Sequence, residues 1–171
     1  VTPLVLALFA SSAAAGDWPA YRADAARSGY TADSLPANLE LRWVHRNPPP
    51  APAWPQSARI AYDFAAQPII AGQTVVVGSS TDDRVLALDP ASGQLRWDFL
   101  AGGPVRFAPT AWRDRVFVAC DDGYLYALAL DDGRLLWKHQ GGPNARMCLG
   151  NGRMISRWPA RGGPVVWDDT V

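Results

Sequence analysis

The sequence predicts an all-β fold, a β-propeller of four-stranded antiparallel blades, on three observations. A clause occurs twice, "LALDPASGQLRW" from Leu86 and "YALALDDGRLLW" from Tyr126, 40 residues apart (126−86). Short β-rich runs are separated by Gly-bearing turns, among them Asp122-Gly123 and Asp132-Gly133, which are strong local hairpin signals. The composition, with 15 Gly, 15 Pro and 8 Trp, suits many short strands joined by tight turns. Four antiparallel strands about every 40 residues is the unit of a propeller blade.

Taken in order, residues 1–15, "VTPLVLALFASSAAA", carry an apolar run from Leu4 to Ala10 and end in Ala13-Ala14-Ala15. That is the apolar core and A-x-A site of a secretory signal peptide, with cleavage expected before Gly16. The run is too short to span a bilayer, which takes about 20 apolar residues. No Cys stands near the cleavage site to accept a lipid. Residues 16–38 form an N-terminal segment leading into the repeats, which occupy 39–171. "LELRWVH", 39–45, is similar to "RLLWKH", 134–139, and reads as a last strand standing before the first blade. Residues 47–64 are Pro-rich and read as an extended surface connection.

The first blade is expected at about 67–103 and the second at about 108–142. "PIIAGQTVVVGS" from Pro68 lies over "PTAWRDRVFVAC" from Pro109, and "GGPVR" at 102–106 resembles "GGPNAR" at 141–146. In the last strand of each, alternation puts Leu95, Trp97 and Phe99 on one side, and likewise Leu135, Trp137 and His139, and Leu41, Trp43 and His45. Both histidines therefore stand in the slot that Phe99 fills, which favours packing over catalysis. Residues 147–162 read as a hairpin about Asn151-Gly152, inserted on one face. A third blade starts at about 164, where "PVVWDDTV" lies over "PTAWRDRV". Val171 aligns with Val116, so the chain is expected to be an N-terminal fragment cut in the middle of a strand.

Charge narrows the function classes. With 16 basic and 16 acidic residues there is no electrostatic footprint for nucleic acid. Cys120 and Cys148 are the only cysteines, without C-x-x-C spacing, so a metal or haem site is not supported. A disulfide and a pair of buried thiols both fit them. Aspartate pairs at 82–83, 121–122, 131–132 and 168–169 read as turn residues, since no D-x-D-x-D-G loop appears. Arg106 and Arg161 each stand three residues before the Pro that opens an innermost strand, a placement for holding an anion at the channel mouth; solvated loop arginine is the plainer reading.

Ala87-x-Asp89-x-x-Ser92-Gly93-Gln94-x-x-Trp97 resembles the tryptophan-docking motif of PQQ-like (quinoprotein-type) propeller repeats; Ala127, Gly133 and Trp137 repeat it, with Ala129 in place of Asp. "DWPAYRADAARSGYT", from Asp17, is similar to the opening of many such propellers. The resemblance implies that the Trp of one blade lies over the small residue opening a neighbouring motif, while Asp89 and Ser92 bond the turn. It extends to BamB-type outer-membrane assembly propellers. Two functions follow from it. The first is a non-catalytic exported binding or scaffolding module, periplasmic, envelope-bound or extracellular, taking protein partners or small ligands at its faces. The second is a quinoprotein alcohol or sugar dehydrogenase using PQQ and Ca²⁺, its site in blades beyond this stretch. The innermost strands, Pro68-Ile69-Ile70, Pro109-Thr110-Ala111 and Pro164-Val165-Val166, offer neither a carboxylate for a hard cation nor a base, which favours the first.

Overall fold

In the computed structural model, which describes residues 16–46, 48, 67–150 and 153–171, ten strands and no helix are found among those residues. The expected leader, most of the Pro-rich connection and the Asn151-Gly152 turn lie outside the described residues. The first sheet runs β1 (Ile69–Ala71), β2 (Thr74–Gly78), β3 (Arg84–Leu88), β4 (Leu95–Leu100), each antiparallel to the next. The second repeats it with β5 (Thr110–Trp112), β6 (Arg115–Ala119), β7 (Tyr124–Ala129) and β8 (Leu135–Gln140). A separate hairpin pairs β9 (Met147–Gly150) with β10 (Arg153–Ser156).

The two sheets stack face to face. Val76, Val85, Ala87 and Trp97 of the first meet Val116, Val118, Tyr126 and Leu128 of the second in one buried cluster. The opposite face of the first sheet, Val77, Leu86 and Leu88, is covered by Trp43; that of the second, Phe117 and Ala127, by Val166 of the third repeat. Middle strands buried on both faces have no solvent side. This is why "TVVVG" and "RVLAL" read as continuous apolar runs rather than alternating ones.

Three expectations are corrected. The alternation through Leu95, Trp97 and Phe99 is broken by a bulge: Trp97 pairs with Ala87 but Leu95 with Leu88. Residues opposite each other share a face, so Leu95 turns away from Trp97 and is 57% exposed. The same register shift at Ala127/Leu128 separates Leu135 from Trp137. Residues 39–46 form no strand, because no neighbouring strand pairs with them among the described residues; Leu41 and His45 are exposed and only Trp43 is part-buried. The third repeat shows no strand from Pro164 to Val166, only a Trp167–Thr170 bridge closing its first turn.

Candidate functional site

The repeated turn is assembled locally. The Asp89 carboxylate accepts from Ala91 N (2.9 Å), Ser92 N (2.9 Å) and Ser92 Oγ (3.0 Å), while Gly93 N donates to Asp89 O at 2.8 Å. Arg96, the residue the bulge leaves unpaired, reaches the other Asp89 oxygen at 2.6 Å. Its guanidinium, with the Ser92 contacts, holds the Asp89 carboxyl down at about 2. Gly93 and Gly133 take φ of +70° and +73°, the left-handed region that favours glycine.

Glycine matters there a second time. A Cβ on Gly133 would collide with the Trp97 ring, and one on Gly93 would stand 2.6 Å from Trp43 Cδ2. Each indole N–H donates to the carbonyl three residues before that glycine: Trp97 to Leu130 O (2.9 Å), Trp43 to Pro90 O (3.0 Å). Trp97 is 8% exposed. Trp137 is 37% exposed, tilted against Phe117 at 5.8 Å, and no turn glycine lies against it among the described residues. The alanines differ from what the resemblance implies. Ala87 and Ala127 are fully buried, but each is the cross-strand partner of the Trp in its own sheet. Ala127 belongs with Phe117 and Val166, on the far side from Trp97. The residue that admits an indole from the neighbouring repeat is the turn glycine.

Arg106 and Arg161 are brought together, on a carboxylate of this chain. Arg106 Nε lies 2.6 Å from Asp121 Oδ2, and Arg161 Nε and Nη2 lie 2.9 and 3.0 Å from the two Asp121 oxygens. Asp121 is 1% exposed. An open anion site at the channel mouth is therefore not what these two arginines form, and Asp121 is more than a turn residue. Neighbouring groups share the burial: it raises the Cys120 thiol and the Tyr126 phenol far above their usual ranges, the latter also through its hydrogen bond to Asp122. Cys120 is buried, Cys148 exposed, and both are free.

The pair Asp82-Asp83 also does more than turn the chain. Arg153 of β10 pairs with Asp83 and donates to Thr81 O at 2.6 Å. Burial raises the Asp83 carboxyl, and Arg153 opposes the rise. With Ser156 N bonded to Asp121 O (2.7 Å), the β9–β10 hairpin is pinned across the β2–β3 loop of the first sheet and the β6–β7 loop of the second. Its outward side leaves Met147, Leu149 and Met154 exposed.

One assembly was not legible in the sequence. Trp18 exchanges two backbone hydrogen bonds with Ile70 (2.8 and 2.9 Å), Ala111 N donates to Pro19 O (2.7 Å), and Arg27 reaches Gly163 O (3.3 Å). Residues 17–28 thus cross the innermost segments of all three repeats. The motif from Asp17 signalled their presence, not their path.

A quinone cofactor with a cation would need converging oxygen ligands. Among the described residues no three His, Cys, Asp or Glu side chains gather to hold a metal ion, and β1 and β5 present Ile69, Ile70, Thr110 and Ala111. The described residues do not fit that group. No helix among them is long and apolar enough to cross a membrane.

Repeated four-stranded antiparallel sheets stacked face to face, with the Trp43 and Trp97 indoles each seated on the next repeat's turn glycine, define a β-propeller of the PQQ-like repeat class. Residues 37–169 match the model of the family described as outer membrane protein assembly factor BamB, and the chain belongs to that family. No curated protein sequence matches it. Among solved structures, BamB from Moraxella catarrhalis is similar at 20% identity, covering 44% of this chain and 27% of that one, TM-score 0.39. A quinohemoprotein alcohol dehydrogenase from Comamonas testosteroni is similar at 19% identity over 80% of this chain and 21% of that one, TM-score 0.48. A europium-containing methanol dehydrogenase is similar at 20% identity over 74% and 23%, TM-score 0.49. In each case the match spans less than a third of the solved protein.

Proposed function

We propose that this chain belongs to an exported, non-catalytic propeller that binds protein partners by its faces. One observation carries the reading: the β9–β10 hairpin is tied to two repeats by Arg153 and Ser156 while Met147, Leu149 and Met154 stay exposed. A rigid platform with an exposed apolar strip suits a docking surface, because little ordering entropy is lost on binding. The family description, an outer-membrane assembly factor, supports an envelope setting and protein partners. In this reading residues 1–15 are a removed leader and 16–38 lead into the repeats at 39–171. Asp89, Ser92, Gly93, Trp97, Gly133 and Trp137 serve to fasten blades, while Ala87 and Ala127 pack across the strand from the Trp of their own sheet.

The test uses the full-length protein, titrated with PQQ and Ca²⁺ by calorimetry and then assayed for dye reduction with simple alcohols and sugars. The expected result is neither binding nor turnover. Calcium-dependent binding with alcohol-dependent dye reduction would overturn the reading in favour of a quinoprotein dehydrogenase.

A further inference from the structure

Residues 17–28 run along the inner edges of the repeats. Their attachments to the repeats are edge hydrogen bonds: Trp18 with Ile70, Pro19 O with Ala111 N, Asp17 Oδ1 with Gly72 N (2.8 Å) and Arg27 with Gly163 O. Ala20 alone among them is fully buried; Trp18, Pro19, Ala23 and Ala25 are half-buried and the other seven are exposed, so the segment lies on the surface of the repeats rather than in their core. Beneath it lies a cavity of about 190 Å³ lined by Tyr21, Asp24, Thr110, Trp112 and Val165 among others.

The segment is also strained. Arg22, Ala23 and Arg27 take φ of 59°, 78° and 56°, left-handed values that side-chain-bearing residues adopt at a cost. An internal lock opposes that strain. Asp24 accepts from the Ser28 hydroxyl and from Ser28 N (2.9 Å), Gly29 N donates to Arg22 O (2.8 Å), and Arg27 lies over the Tyr21 ring. Few buried contacts, edge hydrogen bonds and stored backbone strain together mark a unit that opens well below the global unfolding free energy.

We propose that residues 17–28 are a releasable strap over the inner rim of the propeller. Closed, it covers the free edges of β1 and β5 and the cavity between the second and third repeats. Open, it exposes the Ile70 N–H and C=O, the Ala111 N–H and the cavity wall formed by residues 110–112 and 164–166. The Asp24–Ser28 lock favours the closed form and the left-handed residues favour the open one.

Native-state hydrogen exchange on the full-length protein tests this. The Ile70 and Ala111 amides, both bonded to strap carbonyls, should exchange at least roughly 100-fold faster than the β2–β3 ladder, as expected for local opening. Ser28→Ala should speed those two amides and leave the ladder unchanged. Ala23→Gly should slow them by up to about tenfold, because glycine relieves left-handed strain. Exchange of Ile70 and Ala111 in step with the ladder, in the parent and in both variants, would show that the strap leaves only on global unfolding and overturn the proposal. So would faster exchange in Ala23→Gly.

Discussion

Asp121 is where residue chemistry matters most to this molecule. Its buried carboxylate accepts from Arg106, 12% exposed, and Arg161, 41% exposed, so one acidic side chain ties the linkers before the second and third repeats to the second blade. Asp121→Ala removes a buried carboxylate that two guanidiniums share and should cost about 1.5–3 kcal/mol by urea denaturation, the range for hydrogen bonds to charged groups. Arg161→Ala should cost about 1 kcal/mol or less, since solvent screens that partner. A pH effect belongs to Asp89. Its folded pKa of about 2 lies below the ordinary carboxyl value of 3.8, so its contribution is present above pH 3.8 and is lost as pH falls towards 2. Circular dichroism of Asp89→Asn should therefore show less acid sensitivity than the parent in that window. The two arginines were legible as an equivalent pair from their place before Pro109 and Pro164. Their shared ligand was not, because Asp121 stands 15 and 40 residues away.

Between one element and the next, the bulge and the turn glycine act together. The bulge at Ala87/Leu88 sends Trp97 toward the second sheet and Leu95 away from it, and Gly133 leaves the space the ring fills. Trp97→Ala should cost about 3–5 kcal/mol, as large-to-small core changes do. Gly133→Ala should also destabilise, both because its φ of +73° disfavours a side chain and because the new Cβ meets the Trp97 ring. His139→Phe should stay within about 0.5 kcal/mol, since the His139 side chain is exposed on β8. Thermal melts of these three variants would rank them. A loss of function in His139→Phe at unaltered stability would instead make that histidine a site residue.

For the whole molecule, stability should behave as a sum of repeats and the interfaces between them. Trp97 lies at the interface of the first two sheets, so Trp97→Ala in the full-length protein should broaden the urea transition as well as shift it. An unchanged slope with a shifted midpoint would mean that the repeats remain coupled without the indole. The proposed removal of residues 1–15 as a leader is tested at this scale. N-terminal sequencing of product secreted by a bacterium should begin Gly-Asp-Trp-Pro, and retention of Val1 would count against a leader.

What the sequence determined by itself is local: strands that are apolar throughout because both faces are covered, turns written in Asp, Ser and Gly, and a clause repeated 40 residues apart (126−86). Those signals lie within one repeat, where short-range sterics and turn hydrogen bonding decide the outcome. The tertiary structure decided the rest. Alternation along β4 cannot foretell a bulge, whose phase is set by what the Trp97 ring meets in the next sheet. The role of Asp121 depends on two guanidiniums delivered by separate linkers, and the strap closes contacts as distant as Arg27 with Gly163, 136 residues apart. Such contacts form only once the sheets have stacked, because packing rather than local propensity brings those groups within hydrogen-bond reach.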